Sequence, residues 1–228
     1  MRNRFLFFVF TYITAIGYAQ KFNSFDADGK RHGKWQKKYE NSDQLRYEGT
    51  FDHGKEVGEF KFYKPNSGKM PTAIKVFSSD SDSVQIKYFT VKGKVISKGK
   101  MFGKQRVGVW TYYHKGSSEI MMTEEYKAGK LDGEQKTYFE NGQLTEKIIY
   151  TNGKKQGKRI VYSQKGVLIK EFTYVDDQLH GITKYYDVKG KVKIEGTYKR
   201  DRKDGVWNYY ENGKLLEQKT FPLGKTGS

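Results

Sequence analysis

The chain contains no cysteine in 228 residues. Disulfides are therefore excluded, as is a lipid-modified cysteine at a processed N-terminus. Histidine is scarce too: His32, His53, His114 and His180 are the four, and no two stand at a metal-ligand spacing along the chain. No G-x-S-x-G occurs, and the carboxylates are scattered where paired-carboxylate hydrolysis needs two acids held in one cleft. Beyond residue 19 no stretch keeps a 3.6-residue apolar pattern over helical length, and glycine fills 25 positions, so long helices are not expected. Acids are the minority charge, 26 against 43 lysines and arginines.

What the chain does have is a period. The glycines Gly33, Gly58, Gly108, Gly133, Gly157, Gly181 and Gly205, with Ser83 filling one missing place, stand at steps of 25, 25, 25, 25, 24, 24 and 24. Five residues after seven of these anchors comes a tyrosine: Tyr63, Tyr88, Tyr113, Tyr138, Tyr162, Tyr186 and Tyr210. A second aromatic series, Phe51, Phe77, Phe102, Tyr126, Tyr150, Tyr174, Tyr198 and Phe221, runs in phase with the first. A fixed period of this length marks stacked supersecondary units, none of which can bury its apolar face alone.

Residue 133 onward displays the plan. Two stretches of strand formers flank Asn141-Gly142, a strong hairpin signal that Asn212-Gly213 repeats. In the second stretch Leu144, Ile148 and Tyr150 share one parity and Thr145 and Lys147 take the other, which gives one covered and one wet face. The expected fold is all-β: an elongated array of about eight stacked antiparallel β-hairpin repeats forming a twisted single sheet. At two strands per unit such an array advances roughly 10 Å per repeat, and it twists by about 20° per strand. Tyr63, Tyr88, Tyr113, Tyr138, Tyr150, Tyr162, Tyr174, Tyr186, Tyr198 and Tyr210 are its expected core, since a tyrosine ring packs while its hydroxyl reaches water. The third unit departs: Ser78 to Ser83 replaces the usual Gly-Lys corner, and Pro65 and Pro71 flank the preceding turn, which predicts a kink or a mobile loop.

Residues 1–19 read as a secretory signal peptide. Arg2 and Arg4 precede an apolar run from Phe5 to Ile16, and Gly17-Tyr18-Ala19 offers small residues before the expected cleavage bond Ala19-Gln20. The run is shorter than the roughly 20 residues of a spanning helix. Residues 20–32 then form a lead-in, 33–221 the array and 222–228 a tail. Removal of the leader takes two arginines and no acids, so 41 bases face 26 acids and the net charge falls from +17 to +15. Such a charge attracts polyanions in a salt-dependent way. Lysines on exposed strands also serve simply to block edge pairing.

With these residues in view the chain resembles the MORN-repeat family, in its bacterial variant. Gly108-Val109-Trp110-Thr111-Tyr112-Tyr113 and Gly205-Val206-Trp207-Asn208-Tyr209-Tyr210 carry the first half of the unit; Glu48-Gly49-Thr50-Phe51 and Glu195-Gly196-Thr197-Tyr198 carry the second. The resemblance spans roughly residues 21 to 221 and implies a hairpin array used for protein contacts or, in some relatives, acidic phospholipid. Some relatives carry an antitoxin label. Gln85, Gln135, Arg159 and Thr183 occupy the tryptophan position in the other units.

Two chemical motifs are approached and missed. Gly49-x-x-x-x-Gly54-Lys55 resembles a phosphate-binding loop, but Glu56 stands where a Ser or Thr must hold magnesium. Asp26-Ala27-Asp28-Gly29 resembles a calcium loop, but Ser24 and Trp35 fall where two carboxylates belong. Trp110, Tyr112, Trp207 and Tyr209 lie near lysines in sequence, and rings so placed are either core or a ligand surface built on stacking and charge. The reading is an exported, non-enzymatic scaffold, secreted, periplasmic or envelope-associated. Its partner is a protein or an acidic envelope component, polysaccharide or lipid headgroup. A membrane-surface module for anionic lipid is the alternative and a toxin-neutralising partner a third. No cofactor, metal or small-molecule substrate is expected, nucleic acid is not favoured, and the chain is expected to be a monomer.

Overall fold

The computed structural model describes residues 21–78 and 81–222. The leader, the Ala19-Gln20 bond and residues 223–228 lie outside the described residues, as do residues 79–80. After a two-residue strand β1 (Ser24–Phe25), the chain makes eight hairpins. They are β2 (Arg31–Lys38) with β3 (Leu45–Asp52), β4 (Lys55–Phe62) with β5 (Ala73–Phe77), β6 (Ser83–Phe89) with β7 (Val95–Phe102), and β8 (Gln105–Tyr113) with β9 (Ile120–Lys127). The second four are β10 (Lys130–Tyr138) with β11 (Leu144–Thr151), β12 (Lys154–Tyr162) with β13 (Leu168–Val175), the split strand β14 (Gln178–Leu179) and β15 (Gly181–Tyr186) with β16 (Val192–Lys199), and β17 (Arg202–Glu211) with β18 (Lys214–Phe221). Each strand pairs antiparallel with the next, giving one open, unclosed sheet with no helix among the described residues.

The two aromatic-anchor series prove to be cross-strand partners. Gly33, Gly58, Gly108, Gly133, Gly157, Gly181 and Gly205 stand opposite Phe51, Phe77, Tyr126, Tyr150, Tyr174, Tyr198 and Phe221. Every one of these glycines has a positive φ, between 63° and 125°. That conformation inserts a bulge. Along the β3–β4 ladder, for example, pairing jumps from Thr50↔Val57 to Glu48↔Lys61. The third unit lacks the glycine and lacks the bulge: β5 and β6 pair from Ala73↔Tyr88 to Phe77↔Val84 without a shift. The ladder there is unkinked, and the loop tip lies outside the described residues.

The missing bulge moves the unit by one place, which corrects the alignment read from sequence. Val84, not Ser83, holds the anchor position, and Met101 takes the place assigned to Phe102, which is 54% exposed. Ile86, not Gln85, therefore stands at the tryptophan position, opposite Gly99, and is buried.

The turns also differ from expectation. Asn212-Gly213 is a two-residue turn with both φ positive, but at Asn141-Gly142 only the glycine is. There the Gly142 N–H donates to the Phe139 carbonyl at 2.9 Å, closing a longer loop. The paired positive φ values occur instead at corners between units, at His53-Gly54, Ala128-Gly129, Asn152-Gly153, Asp176-Asp177 and Arg200-Asp201. Their backbone twist matches that of the flanking strands. Each second corner residue donates its N–H to a carbonyl of the preceding unit, as Gly54 does to Arg31 at 2.8 Å and Gly129 to Arg106 at 3.0 Å.

The interior is narrow. Phe60, Ile86, Trp110, Ile148, Thr183 and Trp207 are buried, one for nearly every unit, and Phe51, Tyr63 and Tyr174 are buried beside them. Against three of the rings lies a glycine of the preceding unit chosen for space: a Cβ on Gly49, Gly99 or Gly196 would stand 2.4, 2.3 or 2.2 Å from the ring of Phe60, Trp110 or Trp207. The indole N–H groups of Trp110 and Trp207 donate to the carbonyls of Lys100 (3.0 Å) and Thr197 (3.1 Å). Where the ring is absent, polar pairs fill the row. Gln135 donates to Glu124 at 2.8 Å, and Arg159 grips Glu146 with two bonds of 2.8 and 3.1 Å. The outer strand β18 is exposed along nearly its whole length, and no described strand pairs with its far edge.

Candidate functional site

The expected ligand rings divide. Trp110 and Trp207 are each 1% exposed, so neither indole is a surface; this corrects the ligand reading for both. Tyr112 and Tyr209 are half-buried. All four rings are capped by the chain's own cations, two places before each anchor glycine. The Arg106 guanidinium lies 4.2 Å from the centre of Trp110 and 5.3 Å from that of Tyr126, and donates to the Tyr112 hydroxyl at 2.5 Å. The Lys203 ammonium lies 4.1 Å from Trp207 and 3.3 Å from the Tyr209 hydroxyl. These cation–π contacts use the ring faces that a sugar or a base would need.

Of the core tyrosines, Tyr63 and Tyr174 are buried, and Tyr88, Tyr113, Tyr138, Tyr150, Tyr162, Tyr186, Tyr198 and Tyr210 are half-buried. Three reach a glutamate fifteen residues upstream in the preceding unit: Tyr63 donates to Glu48 at 2.7 Å, Tyr186 to Glu171 at 2.5 Å and Tyr210 to Glu195 at 2.6 Å. Burial pushes the Tyr63 and Tyr186 hydroxyls well above the ordinary tyrosine range, and the accepting carboxylates add to it. Burial alone would raise Glu48; hydrogen bonds from Tyr63 and Gln36 and the nearby Lys61 outweigh it and hold the carboxyl low. These tyrosine–glutamate pairs stitch units together and offer no nucleophile.

The other face carries a cross-strand row that runs through the array. Its members include Glu48, Lys61, Ile74, Lys87, Lys98, Thr111, Thr123, Lys136, Lys147, Ile160, Glu171, Lys184 and Glu195. Most lysines in it are neutralised: Lys61 by Glu48 at 3.8 Å, Lys147 by Glu134 at 3.0 Å, Lys184 by Glu195 at 3.6 Å. Lys87 and Lys98 differ. They face each other directly across β6 and β7, both exposed, and among the described residues neither has a carboxylate within ion-pairing distance. Like charges so placed oppose pairing.

These lysines border a groove of 680 Å³ over β4 to β8, which Ile74, Val76, Gln85, Lys100, Val109 and Thr111 also line, together with Glu59, whose carboxylate pairs with Lys61 at 3.5 Å. Val76 and Val109 are 43% and 55% exposed. An apolar floor between unpaired ammonium groups fits an anionic, partly apolar ligand. The site begins at the unit that lost its glycine and bulge, where β4, β5 and β6 pair without a shift, and ends on β7–β8, whose register shifts between Lys98 and Lys100. Sequence reading found the irregular unit but not the lysine pair, because the meeting of Lys87 with Lys98 follows from the β6–β7 register, which no motif in the sequence states.

Histidine placement was also hidden. His32 and His53 are 21 residues apart, yet their ring centres lie 4.8 Å from each other, beside Asp52. Position before an anchor and position in a corner were both legible; the tilted contact of the two rings, 45° between planes, depends on the corner that the Gly54 to Arg31 hydrogen bond closes.

A family model described as a MORN repeat variant matches residues 131–152, 179–200 and 203–221, which coincide with the fifth, seventh and eighth hairpins. No curated protein matches the chain.

Proposed function

We propose that this chain, with its segments matching the MORN repeat variant, is an exported scaffold that binds an acidic partner, a protein or an envelope component, at the Lys87–Lys98 groove. Repeats of this class are generally protein- or membrane-binding modules and typically non-catalytic. The observation that carries the reading is the facing lysine pair, with no described carboxylate in ion-pairing distance, beside exposed Val76 and Val109, the lining carboxylate Glu59 being paired instead with Lys61 at 3.5 Å. A ligand carboxylate or phosphate between the two ammonium groups would relieve their repulsion. Export rests on the leader pattern of residues 1–19 and predicts secreted material that begins at Gln20; carbonate-resistant full-length protein in membranes would refute it.

The test is affinity capture from an envelope extract with the wild type and with Lys87→Glu/Lys98→Glu, alongside flotation with anionic vesicles. A captured component lost in the double variant and at high salt supports the proposal. The valines beside the lysines favour a second reading, an anionic lipid surface. Salt-resistant flotation without protein capture selects it, and equal capture by both proteins overturns the groove as the contact.

A further inference from the structure

We propose that His32, Asp52 and His53 bind one divalent transition-metal ion of the zinc class, with Asp26 orienting His53. One ligand atom from each of the three lies within 4.8 Å of the others. His53 Nδ1 is 2.6 Å from Asp26 Oδ2. That carboxylate is itself fixed, since its Oδ1 accepts the backbone N–H groups of Asp28 at 3.0 Å and Lys30 at 2.8 Å, and its side chain is only 8% exposed. A fixed acceptor at Nδ1 places the proton there and leaves the lone pair on Nε2.

The two remaining nitrogens converge on one oxygen, although His32 Nδ1 also accepts the His53 backbone N–H in a long contact of 3.5 Å that an ion would replace. His53 Nε2 is 3.9 Å and His32 Nδ1 3.5 Å from Asp52 Oδ1. Two imidazoles and a carboxylate suit zinc, nickel or copper, whereas calcium and magnesium require all-oxygen sets. To reach the spacing set by bonds of about 2.1 Å the atoms must close by about 1 Å. The side chains are 48%, 61% and 63% exposed for His32, Asp52 and His53, so they can move and water can complete the coordination. Arg31, next to His32 in β2, points to the opposite face, its guanidinium 5.0 Å from Trp35 and 5.2 Å from Phe51, while Lys55 stands across from Asp52 and the Lys30 ammonium pairs with Asp28 at 3.7 Å. A carboxylate behind a ligating imidazole is the usual support of such sites.

The ion would tie the lead-in, which carries Asp26, to β2 and to the first corner between units. Two residues of β1 pair with β2, and Asn23 and Ser24 add hydrogen bonds to Lys34, Gln36 and Trp35, so the ion would reinforce an edge already tied on its Trp35 side. The site would therefore serve as a clasp on the first unit.

Titration of the untagged full-length chain with zinc chloride, followed by calorimetry and by thermal melts with and without chelator, tests this. One ion per chain and a zinc-dependent rise in melting temperature are expected. His53→Ala and His32→Ala should each abolish binding, and Asp26→Asn should weaken it by about 10- to 100-fold. His114→Ala and His180→Ala should leave it unchanged, and excess magnesium should not compete. Absence of binding, or binding unchanged in His53→Ala and His32→Ala, overturns the site. Wild-type affinity in folded Asp26→Asn overturns the orienting role.

Discussion

Replacing Gly99 by alanine places a Cβ 2.3 Å from the Trp110 ring, more than 1 Å inside ordinary contact. The indole has little room to retreat, because its N–H is bonded to the Lys100 carbonyl at 3.0 Å and the Arg106 guanidinium lies 4.2 Å from its centre. Overpacking of this kind costs about 1–3 kcal/mol, and the rigid surroundings favour the upper half of that range. Trp110→Ala, which removes a ring 1% exposed, should cost about 3–5 kcal/mol. The two losses should not add. With the ring gone the new methyl enters the vacated space, so Gly99→Ala should be nearly neutral in the Trp110→Ala background, a coupling of about 2 kcal/mol. Urea unfolding of the four proteins measures it. Gly108→Ala is the control: its Cβ would meet nothing within 4 Å, but its φ of +63° costs an L-residue about 1–2 kcal/mol whatever stands at position 110. Additive losses at Gly99 and Trp110 would refute the claim that this glycine exists to admit the ring.

Three further outcomes are expected. Tyr150→Ala, at a half-buried ring of an interior unit, should cost roughly 3 kcal/mol, while Lys147→Ala, which loses only a partly exposed pair with Glu134, should cost about 0.5 kcal/mol; thermal melts that reverse this order would mean the faces are assigned backwards. Among the described residues the buried Thr183 hydroxyl has no hydrogen-bond partner, so the near-isosteric Thr183→Val should stabilise by about 1 kcal/mol, read as a rise in urea midpoint. Tyr63, Tyr112 and Tyr186 have hydroxyls raised above the ordinary value of 10.0, chiefly by burial. Their folded form keeps the proton longer than the unfolded chain does, so their contribution is intact below pH 10 and is lost as pH rises above it. A melting temperature that stayed flat from pH 9 to 12 would contradict this.

Much of the architecture was legible because the period is written in residues that the backbone itself demands. Glycine at the anchors is forced by positive φ, and the aromatic partner opposite each one follows from hairpin register. Ser83 misled for the same reason. Spacing alone gave it the anchor place, but a serine cannot take the left-handed conformation cheaply, and without the bulge Val84 slides into register. Asn141-Gly142 looked like Asn212-Gly213 because dipeptides do not encode loop length. The candidate site was harder to see. Whether Trp110 faces a ligand or the interior depends on Gly99 from the neighbouring unit, and the meetings of Lys87 with Lys98 and of His32 with His53 depend on pairings between residues 11 and 21 positions apart. Chemistry in this fold is assembled from neighbours in space.

A sheet that never closes has a direction. At one end β1 offers two residues, too few to receive a partner strand; at the other β18 presents eight residues, with Leu215 and Leu216 exposed at 52% and 69%. Nothing in the register of that last strand marks it as final. Its inner edge is bonded as every interior strand is, so the outer edge carries the geometry that would accept one more unit. Lys214 and Lys219 on that strand are charges of the kind that blunt an exposed edge, Lys219 being paired with Glu217 at 3.2 Å. The fold thus behaves as a one-dimensional stack whose exposed edge is blunted by charge rather than by a cap.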